Sequence, residues 1–118
     1  MDRDGIRDWV GRYVEAWNSN DRGDIESLFT EDAVYLTGPF DEPWEGRDEI
    51  VEKWMARKDE PGDTRFDYEV IAVDGDLGVV EAVTHYMSTG EVFGNIWLIR
   101  LDAGERCSRY TEYWMEKK

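Results

Sequence analysis

Val79-Val80-Glu81-Ala82-Val83-Thr84-His85-Tyr86-Met87-Ser88-Thr89-Gly90-Glu91-Val92-Phe93-Gly94-Asn95-Ile96-Trp97-Leu98-Ile99-Arg100-Leu101 is the stretch on which the fold turns. Valine, isoleucine and aromatic residues on either side of Thr89-Gly90 predict two strands, Val79 to Ser88 and Glu91 to Leu101, joined by a tight hairpin. A two-residue turn there sets Tyr86 opposite Phe93, Thr84 opposite Asn95 and Ala82 opposite Trp97. Ala103-Gly104 predicts a second turn into a last strand, Arg106 to Met115, pairing Trp97 with Tyr110, Asn95 with Glu112 and Phe93 with Trp114. Paired residues project to one face, and a one-residue slip in either turn exchanges the faces.

One face then carries Thr84, Tyr86, Phe93, Asn95, Trp97, Ile99, Tyr110, Glu112 and Trp114. It is aromatic with three central polar groups, the usual lining of a ligand pocket. The other carries Glu81, Val83, His85, Met87, Ile96, Leu98, Arg100, Arg109, Thr111 and Tyr113. That mixture of aliphatic and charged side chains suits a face-to-face homodimer.

Upstream, Arg65 to Val73 alternates, with Phe66, Tyr68, Val70 and Ala72 on one side, before a turn at Asp74-Gly75. The N-terminal part is helical in period. Ile6, Trp9, Val10, Tyr13, Val14 and Trp17 fall three and four apart, and Asn18-Ser19-Asn20 ends that helix. Asp21 caps a short second helix with Ile25, Leu28 and Phe29. Ala33 to Thr37 reads as a strand stopped by Gly38-Pro39. A loop through Pro43-Trp44-Glu45-Gly46 leads to a third helix bearing Ile50, Val51, Trp54 and Met55, and Pro61-Gly62 closes the helical part. Helices first and a meander afterwards predict an α+β fold, three N-terminal helices packed on a curved antiparallel sheet, in one domain over residues 1–118.

The chain has 28 acidic and 14 basic side chains, a net charge of −14. Such a surface repels phosphate backbones, which argues against nucleic acid as a partner. No apolar run reaches the roughly 20 residues of a membrane span, and the first residues do not read as a signal peptide, so a cytoplasmic protein is expected. One cysteine, Cys107, and one histidine, His85, exclude an internal disulfide and a cysteine or multi-histidine metal site. No nucleotide, flavin or metal motif is visible, and no cofactor is expected.

Trp9-Val10-Gly11-Arg12-Tyr13-Val14-Glu15-Ala16-Trp17-Asn18 and Ile25-Glu26-Ser27-Leu28-Phe29-Thr30-Glu31-Asp32-Ala33 resemble ketosteroid isomerase. Trp44-Glu45-Gly46-Arg47 and the closing Gly104 to Trp114, with Glu112-Tyr113-Trp114, are similar to the SnoaL-like group of the nuclear transport factor 2-like superfamily. The resemblance implies a cone-shaped, cystatin-like sheet wrapped on a long helix, a dimer and an apolar cavity. Tyr13 falls where the isomerase keeps its oxyanion-stabilising tyrosine. Thr37 and Trp97, however, stand where its general-base aspartate and its protonated aspartic acid would be, and neither can replace an acid. The Asp-Arg-Asp group of limonene epoxide hydrolase is likewise incomplete. Its Arg-x-Asp part falls near Asn95-Ile96-Trp97, whereas its last carboxylate has a counterpart in Glu112.

Glu112 is thus the candidate proton-transfer group, since a carboxylate on an aromatic face is desolvated and its pKa raised. The other reading is a glutamate paired to arginine or solvated at a sheet edge. Tyr13 is the second catalytic candidate, as a hydrogen-bond donor to a ligand oxygen, or else a core tyrosine with a tethered hydroxyl. Trp17, Tyr35, Thr37, Trp54, Thr84, Tyr86, Asn95, Trp97, Tyr110 and Trp114 are expected to line the pocket. His85 falls on the opposite face, at the expected dimer contact. Two functions remain open. One is an isomerase, lyase or hydrolase acting on a small hydrophobic molecule; the other is a non-catalytic ligand-binding or dimerisation module of the same fold.

Overall fold

A computed structural model describes residues 2–58 and 60–118. Helix α1, Arg3–Ser19, forms where the apolar spacing predicts it. Asp2 caps its start by accepting from Gly5 N–H at 3.0 Å, and Asn20, at φ 52°, ends it in the left-handed region that asparagine tolerates. Its stripe of Ile6, Trp9, Val10, Tyr13 and Ala16 is buried. The second helix, α2, Arg22–Glu26, is capped by Asp21 as expected but is shorter than the spacing suggested. Leu28 and Phe29 are not helical. The Leu28 carbonyl accepts from Trp9 Nε1–H at 2.9 Å and from Cys107 N–H at 2.7 Å, and this draws the chain into strand β1, Phe29–Leu36.

A two-residue strand β2, Trp44–Glu45, forms where the sequence predicts a loop, and pairs back on β1 with Tyr35 opposite Trp44. It leads through Gly46 into α3, Arg47–Ala56. Strands β3, Thr64–Asp74, β4, Leu77–Tyr86, β5, Val92–Leu101, and β6, Cys107–Glu116, follow as a meander. The six strands form one sheet in the order β2-β1-β6-β5-β4-β3. It is mixed rather than wholly antiparallel, because β1 lies parallel to β6. The connection such a pair needs is supplied by β2, α3 and the strands β3 to β5, all of which lie between β1 and β6 in the chain.

Three irregularities shape the sheet. In β3 the extra residue Ile71, between Val70 and Ala72, reverses the expected alternation, so that Val73 rather than Ala72 packs on the core. The β4–β5 connection is a four-residue loop, closed by Tyr86 N–H to Glu91 O at 2.9 Å and Gly90 N–H to Tyr86 O at 2.8 Å, with Gly90 at φ 76°. Asp63 holds that loop open, its carboxylate accepting from the amide and the hydroxyl of Ser88, each at 2.9 Å. Thr84 therefore pairs with Phe93 and Ala82 with Asn95, two residues away from the expected register. The β5–β6 turn also gains one residue, with Glu105 at φ 60°, and a bulge at Ser108 adds a second. Trp97 consequently faces Glu112, and Ile99 faces Tyr110. Both shifts are even, so the side chains within β4, β5 and β6 keep their predicted faces, whereas Met87 falls in the loop.

α1 touches strands across the whole sheet. Arg3 donates to the Val70 carbonyl on β3, Trp9 meets Phe29 of β1 at 6.1 Å between ring centroids, and Tyr13 meets Trp97 of β5 at 4.7 Å. The sheet is curved, and α1 packs on its concave face. Among the described residues no helix is long and apolar enough to cross a membrane.

Candidate functional site

Between α1, α3 and the concave face of the sheet lies a cavity of about 410 Å³. Its wall includes Tyr13 and Trp17 of α1, Tyr35 of β1, Trp54 of α3, Thr84 and Tyr86 of β4, Asn95 and Trp97 of β5, and Glu112 and Trp114 of β6, with Thr37 just beyond β1. Tyr110 was also expected there. It lies behind the wall instead, fully buried, stacked on Tyr35 with centroids 4.4 Å apart, and the hydroxyls of Tyr13 and Tyr35 are the polar neighbours of its own. Trp114 stands at the mouth, 57% exposed, edge-on to Phe93. The Thr37 hydroxyl donates to Asp41 Oδ2 at 2.8 Å. His85 is on the opposite side of the sheet, paired with Val92.

The polar groups on the sheet form one chain of hydrogen bonds. Thr84 Oγ1–H donates to Asn95 Oδ1 at 2.8 Å, which turns the amide so that its Nδ2–H donates to Glu112 Oε2 at 2.9 Å. Trp97 Nε1–H donates to the same Oε2, also at 2.9 Å. Both donors therefore engage one carboxylate oxygen, and among the described residues none reaches Oε1. Burial pushes the Glu112 pKa above the ordinary 4.5, and the two N–H donors, which favour the anion, pull part of the way back.

On the helix side, Tyr13 Oη and Tyr35 Oη lie 2.7 Å apart in a buried hydrogen bond. Burial, then the neighbouring Tyr35 and Glu112, raises the Tyr13 pKa well above the ordinary phenol value; burial and then Glu112 raise that of Tyr35. Both are neutral donors at any physiological pH. One hydroxyl donates to the other, so the acceptor of the pair keeps its own O–H for a further partner. The wall thus offers a desolvated carboxyl with one free oxygen and a pair of neutral phenols, with the buried Tyr110 hydroxyl as their polar neighbour, on aromatic surroundings. That is the equipment for taking a proton from one atom of a small molecule while hydrogen-bonding another.

Four lining residues were not among the expected site residues: Trp44, Arg57, Lys58 and Phe93. Phe93 was already on the pocket face. Trp44 enters because β2 sets it opposite Tyr35, on which it stacks with centroids 4.6 Å apart. Arg57 and Lys58 follow the last turn of α3, a place no hydrophobic period marks.

Residues 10–110 match the SnoaL-like domain family. No curated protein matches the sequence. Solved structures share the fold. An epoxide hydrolase/cyclase-like enzyme, SalBIII, with a role in pyran ring formation in the polyether salinomycin, is 17% identical at a TM-score of 0.76, over 97% of this chain and 93% of that one. A candidate ketosteroid isomerase from Kribbella flavida is 20% identical at a TM-score of 0.74, over 98% and 81%. An LEH-like epoxide hydrolase from M. tuberculosis is 16% identical at a TM-score of 0.65, over 94% and 82%. At such identities the likeness establishes architecture alone.

Proposed function

The chain belongs to the SnoaL-like domain family, and from that premise we propose that residues 1–118 form one such domain whose cavity takes up a small hydrophobic molecule and transfers a proton on it. The observation that carries the reading is the Glu112 carboxyl, with Oε2 tied down by Asn95 and Trp97 and Oε1 without a protein partner. In the neutral form the acidic hydrogen resides on Oε1, because Oε2 faces two N–H donors. Oε1 is then the atom that gives or takes the proton, and the Tyr13–Tyr35 pair holds an oxygen of the ligand. This arrangement serves an isomerase, a lyase or a hydrolase. It is not the ketosteroid isomerase constellation, since Thr37 is engaged with Asp41 and Trp97 with Glu112.

A specific observation favours a second reading, a binding module without catalysis. Thr84, Asn95, Trp97 and Glu112 satisfy one another, as a purely structural network does. Binding separates the cavity from a filled core under both readings. Decan-1-ol, neutral and apolar, is expected to bind saturably and quench the tryptophans of the wall, and Trp54→Leu should weaken it. Absence of saturable binding at any accessible concentration would remove the cavity as a ligand site.

The convex face is proposed as the contact of a homodimer. It exposes Tyr113 at 43% and Met115 at 76%, beside exposed Val83 and half-buried His85, Ile96 and Leu98. A contact there should bury at least about 1,000 Å² in all, the lower limit of a specific interface. Sedimentation at micromolar concentration is expected to give twice the monomer mass, and Leu98→Glu to give the monomer. A monomeric wild-type protein contradicts the dimer.

A further inference from the structure

We propose that the molecule held in the cavity is an amphipathic anion, its apolar body against the aromatic wall and a carboxylate head at the mouth between Arg57 and Lys58. The inference rests on the cavity reading above and narrows its substrate class.

Charge points to it first. Acidic side chains outnumber basic ones 28 to 14 in the chain, yet the cavity is lined by two cations, Arg57 and Lys58, and by a single acid, Glu112. Among the described residues that line this cavity, the balance of formal charge is the reverse of that of the chain. A protein of net charge −14 repels anions at long range, so cations at the mouth give an anionic ligand its local attraction. Burial shifts Glu112, the one acid of the lining, toward its uncharged form, which weakens its repulsion of an anion.

Geometry points the same way. The Arg57 guanidinium lies over the Trp44 ring, 5.6 Å from its centroid. Trp44 stacks on Tyr35 with ring planes 8° apart, and Tyr35 stacks in turn on Tyr110. The guanidinium thus stands over the outer end of a column of stacked rings that reaches the core. A cation over an aromatic ring keeps its N–H donors for a carboxylate, which a guanidinium can bind through two parallel hydrogen bonds. The ion pairs among the described residues employ Arg7, Arg22, Arg65 and Arg100, each with a nearby carboxylate; Arg57 and Lys58 enter none of them. Arg57 also follows the C-terminus of α3, where a cation offsets the helix dipole. That role acts on stability and leaves ligand preference unmoved.

The test compares decanoate with decan-1-ol, which share the apolar chain and differ in the head, on the full chain by tryptophan quenching. The wild-type protein is expected to bind decanoate on the order of tenfold more tightly, the worth of one charge-assisted contact at a partly exposed site. Molar potassium chloride should erode that margin and leave decan-1-ol untouched. The Arg57→Gln/Lys58→Gln double variant should lose the margin and bind decan-1-ol as the wild type does. Should that variant fold poorly, the salt dependence of the wild type decides by itself. Equal affinity for the two probes, a margin indifferent to salt, or a margin the double variant retains overturns the anionic head while the cavity stands. Binding of neither probe overturns both.

Discussion

Glu112→Gln is expected to lower turnover by about 10²–10⁴-fold, the usual contribution of a positioned acid or base, with the affinity for decan-1-ol unchanged. Glutamine has the same shape, and its Oε1 can still accept from Asn95 and Trp97, so the Thr84–Asn95 chain has no reason to rearrange. What disappears is the titratable oxygen. A second effect has the opposite sign. The folded-state pKa of Glu112 is raised, so between the ordinary value of 4.5 and that raised value the folded protein binds more protons than the unfolded chain. Stability contributed by this group therefore falls as pH rises through the window and is not regained above it. The glutamine variant should be at least as stable as the wild type at neutral pH, with a flatter dependence on pH below it. Loss of activity together with lost folding would show a structural glutamate instead.

Trp97→Ala is expected to cost about 3–5 kcal/mol, read as a fall in the midpoint of urea unfolding. Trp97 is almost completely buried and meets Tyr13 at 4.7 Å, Phe66 at 4.7 Å and Tyr110 at 5.2 Å between ring centroids. It joins α1, β3 and β6, and alanine leaves a void among groups that cannot all close over it. Trp97→Phe retains most of the packing and removes the N–H donor to Glu112. That variant should lose much less stability, and its Glu112 pKa should move further upward, since a group favouring the anion is gone. Equal losses for alanine and phenylalanine would place the weight of Trp97 in its hydrogen bond and not in its ring.

The pocket face could be read from the sequence because face assignment needs only the parity of each turn. Thr89-Gly90 is part of a loop of four residues, and Ala103-Gly104 part of one with an extra residue followed by a bulge, yet each change moves the register by two. The long-range Asp63–Ser88 contact that lengthens the first loop leaves no local trace. In β3 a single extra residue, Ile71, changes parity, and there the alternation of Phe66, Tyr68, Val70 and Ala72 misleads beyond Val70. Phe29 looked helical by spacing because its helical and strand environments are both apolar; the Cys107–Leu28 hydrogen bond decides between them and spans most of the chain. Tyr110 shares the pocket face but sits under Tyr35, and depth beneath a curved sheet is not a property of period. Trp44 and Arg57 reach the cavity through a strand of only two residues and the end of a helix, where hydrophobic pattern is too short to register.

The carboxyl carbon of Glu112 provides the most direct measurement. Its chemical shift, followed by carbon-13 NMR through a pH titration of protein with labelled glutamate and assigned by its absence in Glu112→Gln, gives the pKa of the group. The value is expected above 4.5, because burial outweighs the donors on Oε2. A carboxyl that titrates at or below 4.5 would be a solvated or fully paired anion, too weak a base to be matched to proton transfer near neutral pH, and the case for Glu112 as the proton-transfer group would fall.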